Sequence, residues 1–367
     1  MSSVNPENCI PPCGELACGE PVEPVEPRSL SLRLIRACGI LLLLLLAGMV
    51  LTAGLGAVMV PPAIVAKVIL NHIPGLGHFS LPENIDLIIW QIHIPRMLLG
   101  ALVGMCLAMA GVMLQGLLLN PLADPYMIGV SSGAAVGAGI AVLLGLSGIF
   151  MGFGVPLFAF ISALIAVMAV YTLARRGGTV SMLSFILAGV VIGSFMWAVL
   201  TLILTLSPGQ SLENIIFWTM GSLAGANPWS RVLILAPFAF LGFILLYAFA
   251  RDLNIFALGE ESARYLGLET ESLKRIIIGM ATLITAAAVS VSGTIGFIGL
   301  MVPHITRRLV GPDHRILIPC SALLGALFMM AADVIARTAM RPIEIPVGII
   351  TALLGAPFFL YLLRKSV

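Results

Sequence analysis

Fifty consecutive residues, Pro125 to Ala174, carry no charged side chain. A water-soluble domain does not accommodate such a run, whereas about 20 apolar residues of helix cross the hydrocarbon core of a bilayer. The run therefore holds two crossings, divided by the Gly/Ser/Pro stretch Gly145 to Pro156. The same measure gives further spans at Cys38 to Val60, Met97 to Asn120, Ser181 to Leu206, Arg231 to Ala250, Ile276 to Ser292, Ile316 to Arg337 and Ile345 to Leu363. Their ends fall at Asn120-Pro121, Ser207-Pro208-Gly209 and Asn227-Pro228, where proline removes a backbone donor and disfavours helix before it. Gly293 to Val310 is interrupted by Gly293, Gly296, Gly299 and Pro303 and reads as a short, broken helix, whose open backbone has to be covered by protein.

Composition agrees: 60% hydrophobic and 10% charged over 367 residues, with a mean hydropathy of +1.11, leave too little polar surface for a soluble globule. No ten-residue alternating pattern recurs, which excludes a barrel. The expected fold is an all-α membrane protein of about ten transmembrane helices, with a tail and basic flank at 1–37, a membrane domain at 38–364 and a short end at 365–367. A net charge of +2 is too small to point to nucleic acid.

With the N-terminus inside, the cytoplasmic segments hold 14 of the 19 Lys and Arg residues, so both termini are expected to be cytoplasmic. The first 27 residues, rich in Pro and Glu and free of Lys and Arg, read as a disordered tail rather than a signal peptide. Cys9, Cys13 and Cys18 have no His or fourth Cys nearby to close a metal site, and Cys38, Cys106 and Cys320 read as small apolar residues within spans. A shift of 182 residues superposes Gly111, Pro121 and Gly129 on Gly293, Pro303 and Gly311. Two copies separated by an odd number of spans would form an inverted repeat.

The chain has no G-x-x-x-x-G-K-[ST], no H-E-x-x-H and no G-x-S-x-G, so no catalytic constellation supports an enzyme. Asp333 lies inside an apolar span with Arg337 four residues on, the spacing of an i,i+4 ion pair. The longest polar segment, about 251–275, contains Glu, Ala, Arg and Leu between Gly259 and Gly267. That pattern predicts a short, delimited helix on the cytoplasmic side.

Pro95-Arg96, Gln115, Asn120-Pro121-Leu122-Ala123-Asp124-Pro125 and Gly129-Val130-Ser131-Ser132-Gly133-Ala134 resemble the permease subunits of ATP-driven importers for ferric siderophores, haem and vitamin B12, the FecCD-like type II ABC importers. Leu258 to Leu268, Ser292 to His304, Ala332-Asp333, Ala336-Arg337 and Glu344-Ile345-Pro346-Val347-Gly348 extend the likeness across about 38–363. The resemblance implies a vitamin B12 importer permease-like fold and a homodimer in the inner membrane's lipid. It also implies two separate ATPase subunits carrying ATP and Mg, and an extracytoplasmic binding protein; this chain itself would bind no cofactor or metal. Gly259, Glu260, Glu261, Ala263, Arg264, Leu266 and Gly267 would contact the ATPase, with Ala263 and Leu266 facing its groove. Arg96 and Arg337, with His93 beside them, would be docking points for the binding protein on the outer surface. Gly189, Gly193 and Ser194 would lie along the translocation path. His93 stands where the family often has Arg, so docking affinity would follow its titration, and Leu119 stands where the family often has Arg before Asn-Pro. The rival reading is an ion-coupled secondary transporter using the break at Gly293 to Pro303 as an ion site.

Overall fold

The computed structural model describes residues 27–55, 60–73, 77, 79–225 and 227–366. The cysteines of the N-terminal tail, Cys9, Cys13 and Cys18, lie outside them. Among the described residues, α1 (Pro27–Gly54), α2 (Pro62–Asn71) and α3 (Glu83–Ile88) lead through a π-helical turn, Ile89–His93, into α4 (Ile94–Leu117). A 3-10 turn at Pro125–Ile128 precedes α5 (Val130–Leu143), and α6 (Ile149–Gly152) precedes α7 (Gly154–Ala174). A two-residue hairpin, β1 (Arg175–Arg176) and β2 (Thr179–Val180), then leads to α8 (Met182–Leu206), α9 (Gly209–Thr219) and α10 (Pro228–Ala248). The chain continues through α11 (Ala250–Phe256), α12 (Glu260–Tyr265), α13 (Thr270–Ser292), α14 (Ile298–Val310), α15 (His314–Thr338) and α16 (Val347–Ser366).

Among the described residues, seven helices are long and apolar enough to cross a bilayer. The shorter apolar helices α5 and α16, and the 13-residue α14, stand at the positions of the other three expected spans. Several boundaries differ from the charge-free runs. Helix α1 begins at Pro27, within the expected basic flank, because Arg33 and Arg36 interrupt apolarity but not helix propensity. The second crossing lies in helical structure from Glu83 to Leu117, since the polar residues of Asn84 to His93 end the apolar run without ending the helix. The 207–227 connection, read as a break, contains α9.

Helix α4 is the axis of the bundle, with 21 of its 24 residues buried, and packs against α10, α13, α14 and α15. A Cβ at Gly104 would collide with the backbone carbonyl of Gly325 on α15, and one at Gly325 with that of Gly104. Only a glycine pair permits this approach of two helix backbones.

The expected repeat is present in element order, but in a different register. Each copy runs from a long helix (α4 or α13) through a break in the α-helical structure ending in a left-handed residue, Gly129 at φ +82° or Phe297 at φ +70°, into a short helix (α5 or α14). The 182-residue shift fails because it places Gly111, in mid-α4, on Gly293, which follows the end of α13. Pro303 lies inside α14 instead of breaking it; the break is at 293–297.

Candidate functional site

At one end of the bundle α12 forms a knob. Glu260 and Glu261 occupy its first turn and Arg264 its last, each matched to the helix dipole. Gly267, at φ +86°, closes it as a Schellman cap: the Gly267 amide donates to the Arg264 carbonyl at 2.9 Å and the Leu268 amide to the Ala263 carbonyl at 3.0 Å. Ala263 is fully buried in the main core with Phe256 and Leu273, which corrects the expectation that it faces outward. The exposed apolar face is Leu258 (65%), Tyr265 (92%) and Leu266 (64%), edged by Glu261 and Ser262. Leu266 was expected there; Leu258 and Tyr265 were missed.

Beneath the knob Lys274 is buried, and its Nζ lies 2.5 Å from Glu271 and 2.9 Å from Glu260 and donates to the Val180 carbonyl at 3.1 Å. Arg264 pairs with Glu260 at 2.6 Å and donates to Thr270 Oγ1 at 3.0 Å. One ammonium thus ties α12 to α13 and to the hairpin that leads into α8. Close by, Asn254 donates to Asp313 at 2.7 Å, and burial, which pushes the Asp313 carboxyl up, is outweighed by its hydrogen bonds from Arg315 and Asn254, so its pKa falls to about 2.

At the opposite end Arg96 donates through Nε to Asp333 at 3.1 Å and through Nη1 to Glu344 at 2.9 Å. Arg337 Nε lies 3.0 Å from the other Asp333 oxygen, at an angle that makes the contact an ion pair rather than a hydrogen bond. Arg96, Asp333 and Arg337 are 9%, 2% and 7% exposed, so the two arginines are not free cationic points on the surface, contrary to expectation. The i,i+4 pair of Asp333 with Arg337 is present, and Arg96 joins it from 237 residues away. His93, half-buried, donates through Nδ1 to the Ala53 carbonyl at 2.7 Å, which occupies the ring in joining α4 to α1.

Of the three residues expected along the path, Gly189 is buried because α8 crosses the backbone at Met127 and Ile128 there, a contact a Cβ would prevent. Gly193 is half-buried beside Ser132, and Ser194 is exposed. Ser194 shares its face of α8 with Val190, Ala198, Thr201 and Thr205, at helical spacing. The hydroxyls of Ser194, Thr201 and Thr205 donate to carbonyls one turn back at 2.8 to 2.9 Å.

The two repeat breaks are pinned together by contacts the sequence did not signal. Tyr126 Oη donates to the Ile295 carbonyl and accepts from the Ile295 amide, both at 2.9 Å. Gln115 donates to the Gly299 and Leu300 carbonyls at 3.4 and 3.3 Å and accepts from Arg307 at 3.1 Å. Thr294 bonds the Thr219 carbonyl of α9.

Among the described residues, seven helices long and apolar enough to cross a bilayer, joined by the short α5 and α14 that each follow a break, define a multi-pass membrane protein. A model of the FecCD transport family matches residues 42–365, and the chain belongs to that family. It is 46% identical over 287 residues to the cobalamin import system permease protein BtuC of Halobacterium salinarum, covering 78% of this chain and 76% of that one. To the hemin transport system permease protein HmuU of Yersinia pestis it is 40% identical over 282 residues, 76% and 84% of the two chains. Among solved structures it resembles an ABC transporter described as of the metal-chelate type, in an inward-facing conformation: TM-score 0.78, 32% identity, 90% of this chain and 99% of that one.

Proposed function

We propose that this chain is the membrane subunit of an ATP-driven importer for metal chelates of the cobalamin, haem or ferric-siderophore class. It works as a homodimer in the inner membrane, both termini cytoplasmic, with two separate ATPase subunits at the α12 end and a binding protein at the other. Relatives named for cobalamin and hemin import support the first two of these substrate classes. The observation that carries the coupling role is the exposed Leu258, Tyr265 and Leu266 knob on a base fixed by Lys274. An apolar projection with a polar edge is the form a short helix takes when it seats in a partner's groove. Closure of the ATPase pair would push α12. Because Lys274 holds both Glu260 and the Val180 carbonyl, the push reaches α13 and the hairpin before α8 together. The α8 face of Ser194, Thr201 and Thr205 would line the path. Docking of the binding protein would act on Arg96 and Arg337 through the ion-pair network, with the half-exposed Glu344 as the member its carboxylates replace.

The ion-coupled reading loses support at the break and the first turn of α14, since the carbonyls of Ile295, Gly299 and Leu300 already accept hydrogen bonds from Tyr126 and Gln115. The test is Tyr265→Glu with Leu266→Glu, reconstituted with the partner ATPase. As exposed substitutions they should leave thermal stability within about 0.5 kcal/mol each, while co-purification of the ATPase and ATP-dependent uptake are lost. Wild-type uptake at normal ATP stoichiometry removes the coupling role. Uptake driven by an ion gradient without the ATPase would establish the rival.

A further inference from the structure

Arg96 and Arg337 are matched by Asp333 and Glu344, two cations by two carboxylates. Arg231, in the first turns of α10 at the same end, has no carboxylate within ion-pair distance among the described residues. Its Nη1 donates to the carbonyls of Ala224 and Val291 at 3.3 and 3.4 Å, which sets the guanidinium at the C-terminal end of α13, where the helix dipole favours a cation. The opposite edge, Nε with Nη2, has no partner among the described residues. That is the edge that holds a carboxylate side-on through two parallel hydrogen bonds. The chain at Gly225 lies so close against the guanidinium that a Cβ there would collide with it, so the group is held in place.

Arg231 lines a cavity of about 520 Å³ formed within the single chain between α7, α9, α10 and α13. The volume falls in the ordinary range for a small-molecule site, about 300 to 1,000 Å³. Asn214, Phe217 and Trp218 of α9 share its lining, so it combines an amide with aromatic surface. Glu344 also lines it, but is occupied by Arg96 at 2.9 Å, which leaves the Arg231 charge unmatched.

We propose that this cavity binds a small carboxylate-bearing ligand, with Arg231 gripping the carboxylate, the Asn214 amide assisting and the Trp218 ring covering the ligand's apolar part. The site is distinct from the α8 face and stands whether or not the chain works with an ATPase. The full-length chain, purified in detergent, is titrated with benzoate, benzamide and inorganic phosphate at constant ionic strength, and its thermal midpoint followed. Benzoate should raise the midpoint saturably, while neutral benzamide should not and phosphate should be weaker. Arg231→Gln should abolish the benzoate response. Arg231→Lys keeps the charge at the end of α13 but lacks the planar fork, and should weaken benzoate at least about tenfold while the unliganded midpoint stays near wild type. If Arg231→Gln fails to fold, the lysine variant decides. No saturable benzoate response, an equal response to benzamide or phosphate, or unchanged benzoate affinity in the lysine variant overturns the proposal.

Discussion

Where α4 begins, Arg96, Asp333 and Arg337 are each less than a tenth exposed and join segments 237 residues apart; at the α12 end, Lys274 is equally buried, but its partners Glu260 and Glu271 are 32% and 26% exposed. The first cluster clamps the ends of α1, α4 and α15, Arg337 donating to the Thr52 carbonyl of α1 at 3.4 Å, and its three core members are almost wholly buried, so they stand or fall together. The second is a partly hydrated base under a projecting helix, tied by one ammonium that holds two carboxylates and a backbone carbonyl at once. Under the proposed coupling role, force enters at the α12 end while the other end keeps helices in register, a division of labour that uses both kinds of cluster.

The sharpest way to break this contrast is Asp333→Ala, which leaves two buried guanidinium groups with only Glu344 between them. Removing one partner of a buried ion pair costs about 3–5 kcal/mol, so the thermal midpoint of the purified chain should fall further than for any change at the α12 end. Replacing all three buried members with Met or Leu should recover most of that loss, because an apolar substitute leaves no charge stranded. If Asp333→Ala unfolds at the wild-type temperature, the clamp contributes no stability.

Asp124, half-buried in the loop between α4 and α5, shows what happens to a carboxylate without such partners. It accepts the Tyr126 amide at 2.7 Å, and burial raises its pKa from 3.8 to about 6 against the opposing pull of that bond. The native state therefore holds this proton more tightly than the unfolded chain. From about pH 4 the unfolded chain releases the proton first, so the native state loses stability as pH rises toward 6, by at most about 3 kcal/mol. Asp124→Asn should flatten this part of the stability profile measured from pH 4 to pH 7. An unchanged slope would place the titration elsewhere.

Lys274→Met tests the α12 base. Its carboxylate partners retain contact with water, so the loss should be smaller, about 1–3 kcal/mol, and localised. Faster amide exchange confined to 258–275 and 175–181 is the expected signature, because the ammonium bonds both segments. Protection lost uniformly along α13 would mean that Lys274 supports the core instead of tying the knob.

The two ends were unequally legible in the sequence. Charge-free runs placed the spans, and Pro and Gly placed the ends of α8 and α10, because both signals follow from local backbone chemistry. Gly259 and Gly267 delimited α12 for the same reason. Which face of α12 points outward was not local: the i,i+3 pairing of Ala263 with Leu266 is sound helix geometry, but the core around Phe256 and Leu273 takes Ala263, leaving Tyr265 outside. The clamp was half legible, since Asp333 and Arg337 are four residues apart, whereas Arg96 and Glu344 meet them only through packing. Helix α9 was missed because Pro208-Gly209 signals a stop, and the chain uses it to begin a new helix.

Glu344→Gln is the smallest expected effect and refines the account of the clamp most closely. Glu344 bonds Arg96 at 2.9 Å, yet its side chain is 50% exposed, so water screens it as it does not screen Asp333. Such a pair contributes about 0 to 1 kcal/mol, and the amide oxygen of Gln can still accept from Arg96 Nη1. Stability should therefore barely change, while Asp333→Ala in the Glu344→Gln background should cost more than in wild type, because the two arginines then lack every carboxylate. A double-mutant cycle on thermal midpoints measures that coupling. Strict additivity would show that Glu344 is a bystander and that the clamp is the three buried residues alone.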